Sequence, residues 1–413
     1  MSQQPNIFLF SSILGAVFLL LDAYVIGHWR AYVLRHSLNR WWYRAVVLLS
    51  IVMMGLYWTV VLRRHFFRLD GFEVVLFGIV TLWYLPKIGI APVLLVRDLF
   101  QLVRKISWTR TKSSDTSNNV PPEDSRRAFL GKAAWGMASV PYVLVGNGMW
   151  RTIYDFQVIE VDVPISNLPR SFDGIRIAQI SDIHAGSFPD HRPFQEVRRL
   201  IAASKADLLT ITGDFVNATP SELSLITAEM QKLKAPLGVI ASLGNHDHYN
   251  TPQQHQELIR TIRSTGIDLL INEHRTITVG GSSIVVAGTD NTGFKQNFAR
   301  IDKALRGTEE DQTTILLAHD PTYWDAAIRG SQPVNLMLSG HTHGGQFGVQ
   351  LLGFEWSPAQ YVYKQWAGLY AEADQYLYVN RGIGTVGPPL RIGIPPEITI
   401  FTLRAASISD RLA

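Results

Sequence analysis

Five short clusters of oxygen- and imidazole-bearing residues punctuate the chain: SDIH (181–184), GD (213–214), GNHD (244–247), AHD (318–320) and GHTH (340–343). They contribute Asp182, His184, Asp214, Asn245, His246, Asp247, His319, His341 and His343. A lone Asp-x-His is usually a structural hydrogen bond, and a lone Gly-Asp is usually a turn. Five in series, each closing an apolar run, point instead to one shared site. The chain has no cysteine. A site of carboxylate and imidazole without thiolate suits divalent Mn, Fe or Zn and does not choose among them.

The apolar runs that precede the clusters are 175–181, 206–212, 237–243, 313–318 and 334–339. Their length and continuity suit strands buried on both faces. Stretches 194–205, 222–234 and 253–266 have helical spacing, and 274–288 reads as a hairpin turning at Gly280 and Gly281. Strands alternating with helices make an α/β domain, whose ligand sites lie at the carboxyl ends of its strands. In extended backbone, residues i and i+2 point the same way. Asp182 and His184 can therefore reach one centre, while His341 and His343 can share a centre or serve two.

The ordered series DIH, GD, GNHD, H and GHTH resembles the calcineurin-like metallophosphoesterase superfamily, over about residues 174–403. The tail 378–403 resembles a membrane-associated bacterial branch of it. The resemblance implies an αββα sandwich of two mixed sheets flanked by helices, over 155–405. It also implies two divalent metal ions, one on Asp182, His184 and His343 and the other on Asn245, His319 and His341. Asp214 would bridge them, and His246 would stay off the metals as proton donor. Two such ions clamp a phosphoryl group and lower the pKa of a bridging water, whose hydroxide attacks phosphorus. A protonated His246 then neutralises the departing alkoxide. Asp247 is expected either to orient His246 or to cap the following helix. Arg381 and Arg391 flank a glycine- and proline-rich segment and are candidates for phosphate binding. His191, His248, His255 and His274 read as surface residues.

The first third has a different character. Residues 1–132 carry a net charge of +9 and the remainder −5, giving +4 overall. The mildly acidic remainder argues against nucleic acid as a partner. Apolar runs at 6–28, 45–62 and 71–96 suit membrane spans within a transmembrane region, 1–103. Pro86, Lys87 and Pro92 interrupt the third, which suits a kinked span or a re-entrant segment. A polar linker (104–127) follows, then a fourth apolar segment (128–150). Ser125, Arg126, Arg127, Phe129 and Leu130 at its entrance resemble a twin-arginine export signal. With no A-x-A cleavage site, an uncleaved anchor is expected. The first and third loops together carry eleven Lys and Arg against three in the second, so they are expected on the cytoplasmic side and the catalytic domain outside the membrane.

The function expected is a membrane-anchored phosphoesterase acting on phosphate mono- or diesters, lipids among them. One alternative is a UDP-2,3-diacylglucosamine-type pyrophosphatase facing the cytoplasm. Another, of a different class, is a non-catalytic metal-binding membrane module. Nothing in the sequence indicates a protein partner.

Overall fold

The computed structural model describes residues 7–66, 71–108, 136, 139–293, 295–351 and 354–406. It divides into two compact units, Met1–Asn147 and Gly148–Ala413.

The first unit contains the helices Ile7–Arg35, Trp41–Phe66 and Gly71–Trp108. The segments Phe8–Arg35, Trp41–Leu62 and Val75–Val103 are each long and apolar enough to cross a bilayer. Their outward side chains include Leu20, Val93 and Phe100, all exposed. Helices that are apolar all round suit lipid rather than water. The third run is a single helix, and Pro86 and Pro92 lie inside it without ending it. It continues through Trp108, into the stretch read as linker. Asp22 and Lys87 are both buried and pair with each other, and the Lys87 ammonium stands 3.6 Å from the centre of the Trp83 ring. The pairing offsets the high cost of charge among apolar helices. The twin-arginine-like motif and most of the linker lie outside the described residues. Of the fourth apolar segment, residues 139–150 are helical.

The second unit is built on two mixed six-stranded sheets. The first sheet holds β1 (Gln157–Ile165), β2 (Arg176–Ile180), β3 (Leu208–Thr212), β4 (Val239–Ser242) and β5 (Asp268–Leu269). The second holds β6 (Glu273–Val279) and β7 (Ser282–Gly288), joined by the expected hairpin. Short strands β8 (Thr292–Gly293) and β9 (Gln296–Asn297) follow. Next come β10 (Thr314–Leu317) and β11 (Leu336–Ser339), the hairpin β12 (Val349–Leu351) and β13 (Phe354–Trp356), then β14 (Gly368–Glu372) and β15 (Gln375–Val379). The last strand, β16 (Glu397–Ala405), returns to the first sheet. The strand orders are β1-β16-β2-β3-β4-β5 and β14-β15-β11-β10-β7-β6.

Side-chain alternation along the strands divides the core into layers. Ile177, Leu208, Ile240 and Phe401 point between the sheets, onto Ile315, Leu317, Leu336 and Leu338. On the outer face of the first sheet, Ala178, Ile180, Leu209 and Ile211 pack with Phe194, Val197, Leu258 and Ile262 of the helices Arg192–Ser204 and Pro252–Ser264. Buried Gln179 ties the sheets together beside the strand ends. Its amide donates to Thr212 Oγ1 and to the Ser339 carbonyl, both at 2.9 Å.

Segment 222–234 departs from the expected helix. A 3-10 turn (Pro220–Leu225) and a single helical turn (Thr227–Met230) replace it. The cause is Glu222, whose carboxylate accepts the amides of Gly186, Asn217, Ala218 and Thr219 and pins the segment into the preceding loop.

Candidate metal centre

The ends of β2, β3, β4, β10 and β11 meet where the two sheets face each other. Three belong to the first sheet and two to the second, so the site spans a joint between sheets rather than the edge of one. The loop after β2 stays paired to the loop after β3: Asp182 N–H donates to Gly213 O at 3.1 Å, and His184 N–H to Asp214 O at 3.0 Å. This pairing bends the chain out of extended geometry. Asp182, His184, Asp214, His341 and His343 all lie in the left-handed region, with φ of 51°, 44°, 56°, 73° and 52°. The expected extended i, i+2 arrangement is therefore not how these side chains converge; tight left-handed turns bring them together. Gly340 is required sterically, since a Cβ there would fall on the Ser181 hydroxyl and the Asp182 carboxylate.

The convergence makes three overlapping groups: Asp182, His184 and His343; His184, Asp214 and His246; and Asp214, His319 and His341. Asp214 belongs to two of them, and His246 stands beside His184 and Asp214 at the partly exposed side. Asp214 Oδ1 accepts the His246 amide at 2.8 Å. Its Oδ2 lies 3.5 Å from His184 Nε2 and 3.1 Å from His319 Nε2. His343 Nε2 is 3.3 Å from Asp182 Oδ1, and both Asp182 oxygens accept the His341 amide at 3.0 Å. Asn245 is fixed by its amide, which donates to the Tyr249 hydroxyl at 2.7 Å. Asp182, His184, Asp214, Asn245, His319 and His343 are buried, whereas His246 and His341 keep partial exposure.

The electrostatics follow from burying carboxylates among imidazoles. Burial acts to raise the Asp214 carboxyl, but His319, His246 and His184 outweigh it and hold it well below its ordinary range. Burial acts to depress His319, yet Asp214 and Asp182 lift it to about 10. Its Nδ1–H donates to the Thr212 carbonyl at 2.6 Å, which leaves Nε2 turned to the centre. His343 is driven well below its usual value by burial, His184 and Arg391. Burial pushes His246 down to about 4 against the pull of Asp214. His246 Nδ1 donates to the Asn217 carbonyl at 2.7 Å, so Nε2 is its proton-exchanging atom.

These residues fit divalent cations. Asn245 Oδ1 is buried without a hydrogen-bond partner. Two pairs of imidazole nitrogens sit unusually close, His184 Nε2 to His343 Nε2 at 3.2 Å and His341 Nδ1 to His319 Nε2 at 3.3 Å. Facing lone pairs at that separation need a proton or a cation between them. Hard oxygen and borderline nitrogen donors without sulfur suit divalent first-row metals.

Several expectations change in detail. Asp247 neither touches the His246 ring nor caps the next helix; Thr251 is that cap. Its carboxylate accepts the amides of Gly244, Asp214 and Phe215, each at 2.9 Å, and so ties two ligand loops together. Burial and Asp214 push it up to about 7 against those amides. Arg381 and Arg391 are buried and engaged within the protein. Arg381 pairs with Glu397 and Glu355, both at 3.0 Å. Arg391 donates to the carbonyls of Arg381, Gly382 and Gly384 at 2.8, 3.0 and 2.7 Å, and its guanidinium reaches within 3.5 Å of His343 Nδ1. Neither is presented to a substrate. His248 is part-buried, 2.6 Å from Asp290, and stacks on His255. Two phenols at the mouth carry no signal in the sequence: Tyr249 on Asn245, and Tyr363, whose hydroxyl is 3.1 Å from His341 Nε2.

Two family models match the chain. A calcineurin-like phosphoesterase domain covers residues 175–345, and a probable calcineurin-like phosphoesterase transmembrane domain covers 5–153. A Bacillus subtilis protein, uncharacterized metallophosphoesterase YkuE, is 32% identical over 297 residues, 68% of this chain and 99% of its own. The chain belongs to the calcineurin-like metallophosphoesterases. Within that family, a Bos taurus transmembrane protein with metallophosphoesterase domain is 32% identical, the match covering 65% of this chain and 61% of that protein. Phosphodiesterase YaeI of Escherichia coli is 28% identical over 55% of this chain and 82% of its own length. The three apolar helices and the transmembrane family model make this chain a membrane-linked metallophosphoesterase. Members of the family use divalent metals, and the Asp/His cluster is a site able to bind them.

Proposed function

We propose that the chain is a membrane-anchored dinuclear phosphoesterase, hydrolysing phosphate esters with two divalent ions of the Mn, Fe or Zn type. The observation that carries this reading is Asp214 Oδ2, shared between His184 at 3.5 Å and His319 at 3.1 Å. One carboxylate oxygen facing two imidazole groups is the arrangement a bridging ligand needs. Asp182, His184 and His343 would hold one ion, and Asn245, His319 and His341 the other. When bound, such a pair supplies positive charge to phosphoryl oxygens and lowers the pKa of water.

The remaining work falls to the chain. The Thr212 carbonyl fixes the His319 ring, and Tyr249 turns Asn245 so that its Oδ1 faces inward. His246, locked by Asn217, presents Nε2 at the partly exposed side. An anionic phosphoester beside it favours its protonated form, and the proton it then holds at Nε2 can pass to the departing alkoxide. The phosphodiesterase activity named for the Escherichia coli relative supports a diester as substrate.

The test is hydrolysis of bis-p-nitrophenyl phosphate by the full chain in detergent, with metal content measured alongside. Loss on chelation, recovery with Mn, and two ions per chain are expected. Full activity in the metal-stripped chain would overturn the reading, as would a stoichiometry that never exceeds one. The proposed side for the catalytic domain is extracytoplasmic. A reporter fused after Ala413 tests it: alkaline phosphatase activity is expected, and fluorescence from a reporter maturing only in the cytoplasm overturns it in favour of the nucleotide-lipid alternative.

A further inference from the structure

The hairpin β12–β13 exposes an apolar face. Residues opposite one another across a ladder share a face. Val349 pairs with Trp356, and Phe354 joins them by alternation, making an apolar face. Gln350 pairs with Glu355 on the other face, its amide donating to Glu355 at 2.8 Å. A water-facing hairpin on an α/β domain turns its polar face out. Here both faces reach solvent: Gln350 and Glu355 are exposed, the Glu355 carboxylate being held by Arg381 at 3.0 Å. On the apolar face, Val349 is 45% and Phe354 61% exposed.

Neighbouring segments extend this surface. Phe347 is 47% exposed and packs edge-on against Trp356 at 6.3 Å. Tyr361 and Val362 are 76% and 74% exposed. The next residue, Tyr363, touches His341 at the mouth of the metal centre. From 347 to 363 the only ionisable side chain of acid or base type is Glu355, and it is paired. An exposed patch of aromatic and branched apolar residues without free charge, contiguous with a site, marks an interaction surface.

We propose that residues 347–350 and 354–362 form a lip of the metal centre that enters the interfacial and acyl region of a phospholipid bilayer. The chain already resides at a bilayer through its apolar helices. Mixed Trp, Tyr and Phe are the residues that settle at the headgroup boundary. The absence of unpaired charge lowers the desolvation cost of that placement. The lip would bring lipid phosphoesters to the mouth at Tyr363 and His341, a step that rests on the phosphoesterase reading.

The chain's lack of cysteine allows a direct test. Phe354→Cys and, as a control, exposed Glu310→Cys are labelled with an environment-sensitive fluorophore in the full chain. Glu310 precedes β10, at the end of the strand remote from its ligand. The proteins are reconstituted in phosphatidylethanolamine–phosphatidylglycerol vesicles containing nitroxide-labelled acyl chains. Quenching at position 354 well above that at 310 is expected. Equal, weak quenching at both overturns the proposal, and so does copy-to-copy crosslinking through 354 without lipid quenching, which would assign the face to a second chain. A kinetic arm uses Val349→Ser/Phe354→Ser. Its rate on a bilayer-embedded phospholipid is expected to fall about tenfold, with the rate on a small chromogenic diester unchanged. Activity absent from the unmodified chain would sink the phosphoesterase reading and leave the lip to be decided by quenching alone.

Discussion

The two halves of the candidate centre share Asp214 but are backed differently. Behind Asp182, His184 and His343 lies protein. Arg391 is fully buried there and clamps the carbonyls of 381, 382 and 384 against the Asp182 loop. Before Asn245 and His341 stand two phenols at the mouth, Tyr249 and Tyr363, the first of them 44% exposed. We call the first the sealed half and the second the open half, after the groups that border them; the ligands themselves are nearly all buried in both. On the proposed two-ion reading, the sealed half retains its ion and the open half meets substrate.

Asp214→Asn should abolish that distinction. It removes the charge common to both halves, so metal analysis is expected to find both ions depleted. The activity loss should exceed that of any single imidazole. Retention of one tightly held ion would instead mean that the halves are independent. His246→Ala comes next, with turnover reduced about 10²–10⁴-fold and both ions kept. A vacated ion in that variant would make His246 a ligand and redraw the boundary between the halves.

Tyr363→Phe probes the open half alone. Removing an outer partner of a metal-bound imidazole typically weakens metal affinity about 10–100-fold. The loss should be confined to one of the two ions in a chelator titration; equal weakening of both would argue against an open half. Arg391→Met probes the sealed half and should act least on turnover. Losing charge-assisted bonds to buried carbonyls costs about 3 kcal/mol, and a domain of this size shifts by about 2–4 °C per kcal/mol. Thermal melting of the detergent-solubilised variant is the measurement. An unchanged melting temperature with lost activity would show Arg391 acting on substrate after all.

The strand framework was readable because burial on both faces leaves continuous apolar runs. All five runs ending in ligand clusters became strands, within a residue or two of the expected bounds. The hairpin at Gly280 and Gly281 was equally plain, since turn chemistry is local. What the sequence hid is tertiary. Asp247 looks like a partner for its neighbour His246, yet its acceptors are satisfied by amides more than thirty residues away. The orienting group for His246 is a backbone carbonyl, at Asn217, which no side-chain pattern reveals. Arg381 and Arg391 sit in a loop-like, glycine-rich stretch that reads as surface; Arg381 is drawn in by Glu397 of β16 and Arg391 by the carbonyls of its own loop. Tyr249 and Tyr363 are ordinary aromatics until folding carries them to the mouth.

The left-handed turns at the ligand positions constrain how such a site can change over evolutionary time. Asp and His are among the few non-glycine residues that enter this backbone region with any frequency, along with Asn. The torsion angles therefore restrict the alphabet before coordination chemistry does. Exchange of Asp, Asn and His at 182, 184, 214, 341 and 343 alters the donor atom while leaving the chain path intact. A step to valine or isoleucine loses the donor and also forces the backbone out of register. Drift at these positions should thus run among alternative ligand sets more readily than toward an apolar remnant. A library randomised at these five codons and selected only for folding should still be enriched in Gly, Asn, Asp and His.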